Sequence, residues 1–171
     1  HQEKLINKLK RGGAMERRSV NFRHNRKINS FLSSSTSKLK SIDKIVDFEH
    51  DYLKQNLRMV ILTDYIRKEF LVQEETNDLE LNKIGVLPIF EKLRRTNDRD
   101  MKIGVLTGSL IIIPSSAFAL FKEITTKYKI DNVSTTPLSF DKEYLIINSN
   151  QKLKHDIVNI ITQVFQEGQI E

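Results

Sequence analysis

The chain predicts an open α/β fold with a mostly parallel sheet, and three observations carry that expectation. Two apolar runs, RMVILTDYIRKEF (58–70) and KIGVLTGSLIIIP (102–114), each break into a polar turn at the carboxyl end. Strand-like runs alternate with segments of helical periodicity, which implies right-handed crossovers and helices on both faces of the sheet. The last helical segment closes on FQEGQIE (165–171), where a further strand is expected, so the domain reads as incomplete at its C-terminal end.

Each element has a local reason. LINKL near the start suits a helix, while RGGA (11–14) and FLSSSTS (31–37) are breakers or connectors, so 1–36 reads as a basic segment, partly helical or flexible. Ile42, Ile45, Val46, Tyr52 and Leu53 fall on one face of a helix over 41–56, with Ser37 or Ser41 available as its cap. Met59 to Leu62 is too short for an independent helix and suits a parallel strand buried on both faces, left through Thr63 and Asp64. VQEETNDLELNK (72–83) is acidic with little periodicity and reads as a surface loop.

Val86, Ile89, Phe90 and Leu93 recur at helical spacing, with Pro88 in the first turn and Arg94–Arg95 at the basic end. A second strand is expected over 102–107. Pro114 with Ser115 or Ser116 then opens a helix whose apolar face is Ala117, Leu120, Phe121, Ile124 and Tyr128. Short strands are expected near 130–134 and 144–147, separated by Pro137 and polar residues. Leu153, Ile157, Ile160, Ile161, Val164 and Phe165 form the cleanest amphipathic helix, which Gly168 can close.

Length and charge narrow the function. With 171 residues, 39% of them hydrophobic and 29% charged, the chain suits one domain with a real core, expected at 37–171. No apolar run approaches a bilayer span and the first residues carry no hydrophobic signal core, so a cytoplasmic protein is expected. The absence of cysteine excludes disulfides and thiolate metal sites. Residues 1–44 hold 12 Lys/Arg against three acids, a net +9, whereas 45–171 carry −3. Arg17, Arg18, Arg23, Arg26 and Lys27 concentrate that charge in a basic patch able to neutralise phosphates, although a solvated basic tail looks the same in sequence.

Self-contained catalysis finds no support. None of the six glycines belongs to a GxxxxGK[ST] phosphate loop, and no serine sits in a GxSxG turn. His1, His24, His50 and His155 are scattered without metal-ligand spacing. No catalytic residue and no metal site is therefore assigned.

The order of these motifs resembles superfamily-two helicases and translocases, the DEAD/DEAH-related and restriction-type enzymes. RMVILTDYIR is similar to the motif IV strand and exit turn of their second (C-terminal) domain, KIGVLTGS to the following strand with its TG turn, and ITQVFQEGQIE to the helix leading into motif V. SKLKSIDKIVDFE (37–49) resembles the helix introducing that domain, so the resemblance spans about 37–171. It implies a partial RecA-like domain, three-layered and P-loop NTPase-like, truncated before motifs V and VI. It also implies a parent that hydrolyses ATP with Mg between two RecA-like domains while gripping DNA or RNA. The phosphate loop and magnesium-binding acids would belong to the first RecA-like domain and the arginine finger to motif VI, so this segment alone is expected to bind no cofactor stably and to lack ATPase activity.

Carried over residue by residue, the resemblance points Thr63, Asp64, Tyr65 and Arg67 after the first strand, and Thr107, Gly108 and Ser109 after the second, at the nucleic-acid strand. A hydroxyl, an uncrowded glycine amide and an arginine fork hold phosphate oxygens without selecting bases. Asp64 repels phosphate, so orienting Arg67 or a turn amide suits it better, while Tyr65 either stacks on a base or packs as a rim aromatic. Each residue also has a plain structural reading as a strand end or a tight turn. Two other classes fit the alternation: a non-enzymatic nucleic-acid-binding α/β module, and a receiver- or flavodoxin-like signalling domain, for which Asp64 stands without neighbouring acids.

Overall fold

The computed structural model describes residues 2–11, 15–16, 19–20, 36–71, 84–131, 133–139, 141–149 and 154–171. The chain divides into two units, His1–Ser35 and Thr36–Glu171. In the first, helix α1 (Gln2–Arg11) precedes a small ladder of β1 (Met15–Glu16) and β2 (Ser19–Val20), antiparallel with Met15 opposite Val20. The basic patch Arg17, Arg18, Arg23, Arg26 and Lys27 lies outside the described residues, as does the acidic stretch 72–83.

The second unit contains α2 (Thr36–Leu53), α3 (Val86–Arg95), β3 (Val105–Leu106), β4 (Ile111–Pro114), α4 (Phe118–Lys127), β5 (Val133–Pro137), β6 (Tyr144–Ser149) and α5 (Lys154–Gln166). Its sheet has the order β3-β4-β6-β5, and every neighbouring pair is antiparallel. This overturns the expected RecA-like, mostly parallel sheet. The cause is local: Thr107 N–H donates to the Leu110 carbonyl (2.9 Å), so the chain reverses across Gly108–Ser109 and the run 102–114 becomes a hairpin rather than one strand. A second reversal follows, with Leu138 N–H donating to the Tyr144 carbonyl (3.0 Å) and folding β5 onto β6.

Helices cover both faces of this sheet because its central strands are apolar on both sides. On β4, Ile111 and Ile113 join Phe121 and Ile124 of α4 and Ile157, Ile160 and Val164 of α5, while Ile112 joins Leu87 and Phe90 of α3. β6 alternates in step, with Ile147 in the first cluster and Tyr144 in the second. A third cluster seats α2 on α3 through Leu39, Val46, Ile89, Leu93 and Met101. Fully burying aliphatic side chains of this size contributes about 1.5–3 kcal/mol each.

Several boundaries differ from expectation. α2 begins at Thr36, and Ser41 lies inside it, its hydroxyl donating to the Ser37 carbonyl one turn back (3.0 Å), so Ser41 is no cap. Met59–Leu62 forms no ladder among the described residues, and Val60 is 66% and Leu62 89% exposed. Tyr128, expected on the apolar face of the fourth helix, is exposed beyond its end. The helix over 86–95 stands where its spacing placed it. α5 closes as its glycine predicts, with Gly168 at φ +75° and the bonds Gly168 N–H to Phe165 carbonyl (3.0 Å) and Gln169 N–H to Val164 carbonyl (3.1 Å) completing a Schellman turn.

Candidate nucleic-acid interface

Thr63 to Arg67 is held from behind by α3. Helix N-termini leave amide donors unsatisfied, and here Val86 N–H donates to the Tyr65 carbonyl (2.7 Å) and Leu87 N–H to the Ile66 carbonyl (3.1 Å). Pro88 contributes no amide in that first turn and so leaves none unsatisfied. Close approach of the two segments depends on Gly85: a Cβ there would sit 2.5 Å from Arg67 Cγ and 2.7 Å from the Tyr65 carbonyl oxygen. Arg67 itself occupies the left-handed region at φ 59°, a conformation that non-glycine residues adopt at a cost and keep only when their surroundings hold them.

That backbone arrangement folds the Arg67 side chain over the Tyr65 ring, its guanidinium carbon 4.7 Å from the ring centroid. Tyr65 is half exposed, and Arg67 Nε is buried with no hydrogen-bond partner among the described residues. Asp64 is exposed and forms no ion pair with Arg67 among the described residues; the Tyr65 ring lies against that arginine instead. Tyr65 packs under the cation and still offers an exposed edge. Thr63 turns inward, lining an apolar cavity of about 110 Å³ with Met59, Ile61, Val86 and Val105.

The second turn is built differently. Thr107 Oγ1 accepts from Leu110 N–H (2.8 Å) and Ser109 N–H (3.2 Å) and donates to the Leu110 carbonyl (2.8 Å). Its hydroxyl is therefore committed to closing the hairpin, which makes it a structural residue first. Gly108 and Ser109 are exposed at the tip, and a Cβ on Gly108 would meet nothing within 4 Å, so crowding does not demand glycine there.

At the other end of α3 two cationic side chains are paired internally. Glu91 is fully buried, with Arg94 at 2.8 Å and Arg95 at 3.4 Å, and Arg94 also reaches Asp141 at 3.0 Å. Beside this cluster lies a polar cavity of about 380 Å³ whose wall includes Asn97, Ser115, Glu143 and Tyr144. Burial pushes the Tyr144 phenol up to about 12, against partial relief from its hydrogen bond to Asn97. The ring packs edge-on against Phe90 with centroids 5.2 Å apart.

Two features of the site escaped sequence reading. Gly85, directly before Val86, is a local sign of the close backbone approach that the fold requires there. The Glu91–Arg94–Arg95 spacing also fits one helix face, but only the fold supplies Asp141 from the turn before β6. Comparison with protein families, with curated proteins and with solved structures returned no match. Among the described residues no helix is long and apolar enough to cross a membrane.

Proposed function

We propose that this chain grips single-stranded nucleic acid by its backbone, with the Arg67–Tyr65 stack as the principal contact. The observation that carries the reading is a guanidinium held over a half-exposed aromatic ring, 4.7 Å from its centroid, on a backbone that α3 anchors. An arginine fork suits a phosphate oxygen and an aromatic edge suits an unstacked base, a pairing that tolerates any sequence. Gly108 and Ser109 offer a second, lighter backbone contact, and the +9 of residues 1–44 supplies sequence-independent attraction.

The same grip would serve a cytoplasmic ATP-dependent helicase or translocase, with ATP and Mg handled by another domain and DNA or RNA as the track. The antiparallel sheet favours a second reading, a stand-alone binding module that performs no hydrolysis. Anisotropy titrations of a labelled single-stranded oligonucleotide test the common claim. Tyr65→Ala should weaken binding by about 1–3 kcal/mol, and Arg67→Ala should lower the slope of log affinity against log salt by roughly one phosphate contact. Unchanged affinity and slope in both variants would refute the grip. Phosphate release from ATP by the chain alone should stay at background, and robust turnover would contradict the placement of the chemistry elsewhere.

A further inference from the structure

α4 ends in a turn that carries an aromatic ring out of the core. Lys129 N–H donates to the Thr126 carbonyl (3.1 Å) and Ile130 N–H to the Thr125 carbonyl (2.9 Å), a Schellman closure with Lys129 in the left-handed region at φ 54°. The closure returns Ile130 to the core that α4 and α5 share and leaves Tyr128 59% exposed. Opposite stands one face of α5, where Asp156, Asn159, Ile160 and Gln163 recur at intervals of three and four residues. These six residues line a cavity of about 280 Å³.

Half of that lining has hydrogen-bonding capacity to spare. The side chains of Asp156, Asn159 and Gln163 make no hydrogen bond or ion pair among the described residues. Ile160 is buried and Ile130 packs on the same core, so the floor is apolar. Ligand pockets commonly enclose roughly 300–1,000 Å³, so this cleft suits one ring system rather than a length of chain. An exposed aromatic ring beside an apolar floor favours a flat, unsaturated occupant. Asp156, acceptor-only when ionised, turns phosphate away from the interior and calls for donors on the ring's edge.

We propose that the cleft between α4 and α5 binds a guanine base. The pairing edge of guanine presents two adjacent donors, N1–H and the 2-amino group, which match the two oxygens of Asp156. Its O6 and N7 accept, and the Asn159 and Gln163 amides donate. Adenine and cytosine each bring one donor group to that edge beside an acceptor, and uracil and thymine bring one N–H between two carbonyls. Each of those bases sets a lone pair against the carboxylate. α4 and α5 cover the sheet face opposite α3, so the cleft is separate from the Arg67–Tyr65 stack.

Calorimetric titration of the full chain with guanosine, inosine and adenosine monophosphates tests the edge. Affinity should fall in that order, with loss of the 2-amino group costing about tenfold. Asp156→Asn should weaken guanosine monophosphate by about tenfold or more and erase its advantage over inosine monophosphate, a change of ranking that a loosened fold would not produce. Tyr128→Ala should weaken all three by about tenfold and keep their order. Arg67→Ala should leave every value unchanged, which separates failure of this site from failure of the grip. A thymidine oligonucleotide with one guanine, compared with its all-thymidine counterpart, distinguishes the sources. A guanine-dependent gain that Asp156→Asn removes marks a base carried by a strand, and nucleotide binding without that gain marks a free nucleotide. The proposal falls if neither probe shows guanine-dependent binding, if guanosine and adenosine monophosphates bind equally, or if Asp156→Asn leaves the ranking intact.

Discussion

Arg94 and Arg67 lie at opposite ends of α3's sphere of influence and show how neighbours decide what a cation is for. Arg94 is nearly buried and stands between Glu91 and Asp141, at 2.8 and 3.0 Å. Its charge is spent on joining α3 to the turn before β6. Arg67 instead lies on a neutral ring, on a segment that bonds to α3 through backbone alone. The first arginine stabilises, and the second is presented. A basic residue thus indicates a phosphate contact only when the fold leaves its charge uncompensated.

The comparison can be broken most forcefully at Glu91. Glu91→Ala strips the buried carboxylate from Arg94 and Arg95, and loss of one partner of a buried pair typically costs about 3–5 kcal/mol. Urea unfolding should show that loss, and oligonucleotide affinity of the remaining folded protein should be unchanged. Gly85→Ala comes next. A methyl group there must displace the Tyr65 carbonyl or the Arg67 stem, for a cost of about 1–3 kcal/mol in stability, and it should also weaken binding by moving the stack. A variant that destabilises without touching affinity would separate Gly85 from the site.

Asp141→Asn is expected to act more gently, by about 1–2 kcal/mol, since Glu91 still neutralises Arg94 and the amide can remain a hydrogen-bond acceptor. The smallest effect is a pH dependence. Tyr144 has a folded pKa near 12 against an ordinary 10, so its neutral form is favoured by folding. That stabilisation is complete below pH 10 and is lost as pH climbs from about 10 through 12. Tyr144→Phe should flatten the alkaline decline in thermal midpoint over that window, and an unchanged decline would assign it to other groups.

Legibility followed the range of the interactions involved. The spacing of Val86, Ile89, Phe90 and Leu93 marked α3, and Ile157 through Val164 with Gly168 marked α5 and its closing turn, because a helix face and its cap are specified within a few residues. Strand polarity is not recorded in this way: the expected parallel sheet is antiparallel. Leu110–Ile113 continues 102–107 as an apolar stretch, and the signal that the chain reverses lay in Thr107, whose hydroxyl closes the turn from inside. Met59–Leu62 is as apolar as β4, yet only β4 found partners on both sides.

The candidate site divides the same way. Thr63, Asp64, Tyr65 and Arg67 were recognisable as a polar exit from an apolar run, and Thr107–Ser109 as a turn. Sequence alone determined the helix faces, the breakers and the uneven charge, each of which depends on residues close together in the chain. Only the tertiary structure decided that the sheet is antiparallel, that Arg94 is neutralised and that Arg67 lies on Tyr65. Those outcomes depend on contacts such as Arg94 with Asp141, 47 residues apart, and Tyr65 with Val86, brought together from separate stretches of chain. Pairings of that reach are selected by competition among whole arrangements, and no local pattern records which one wins.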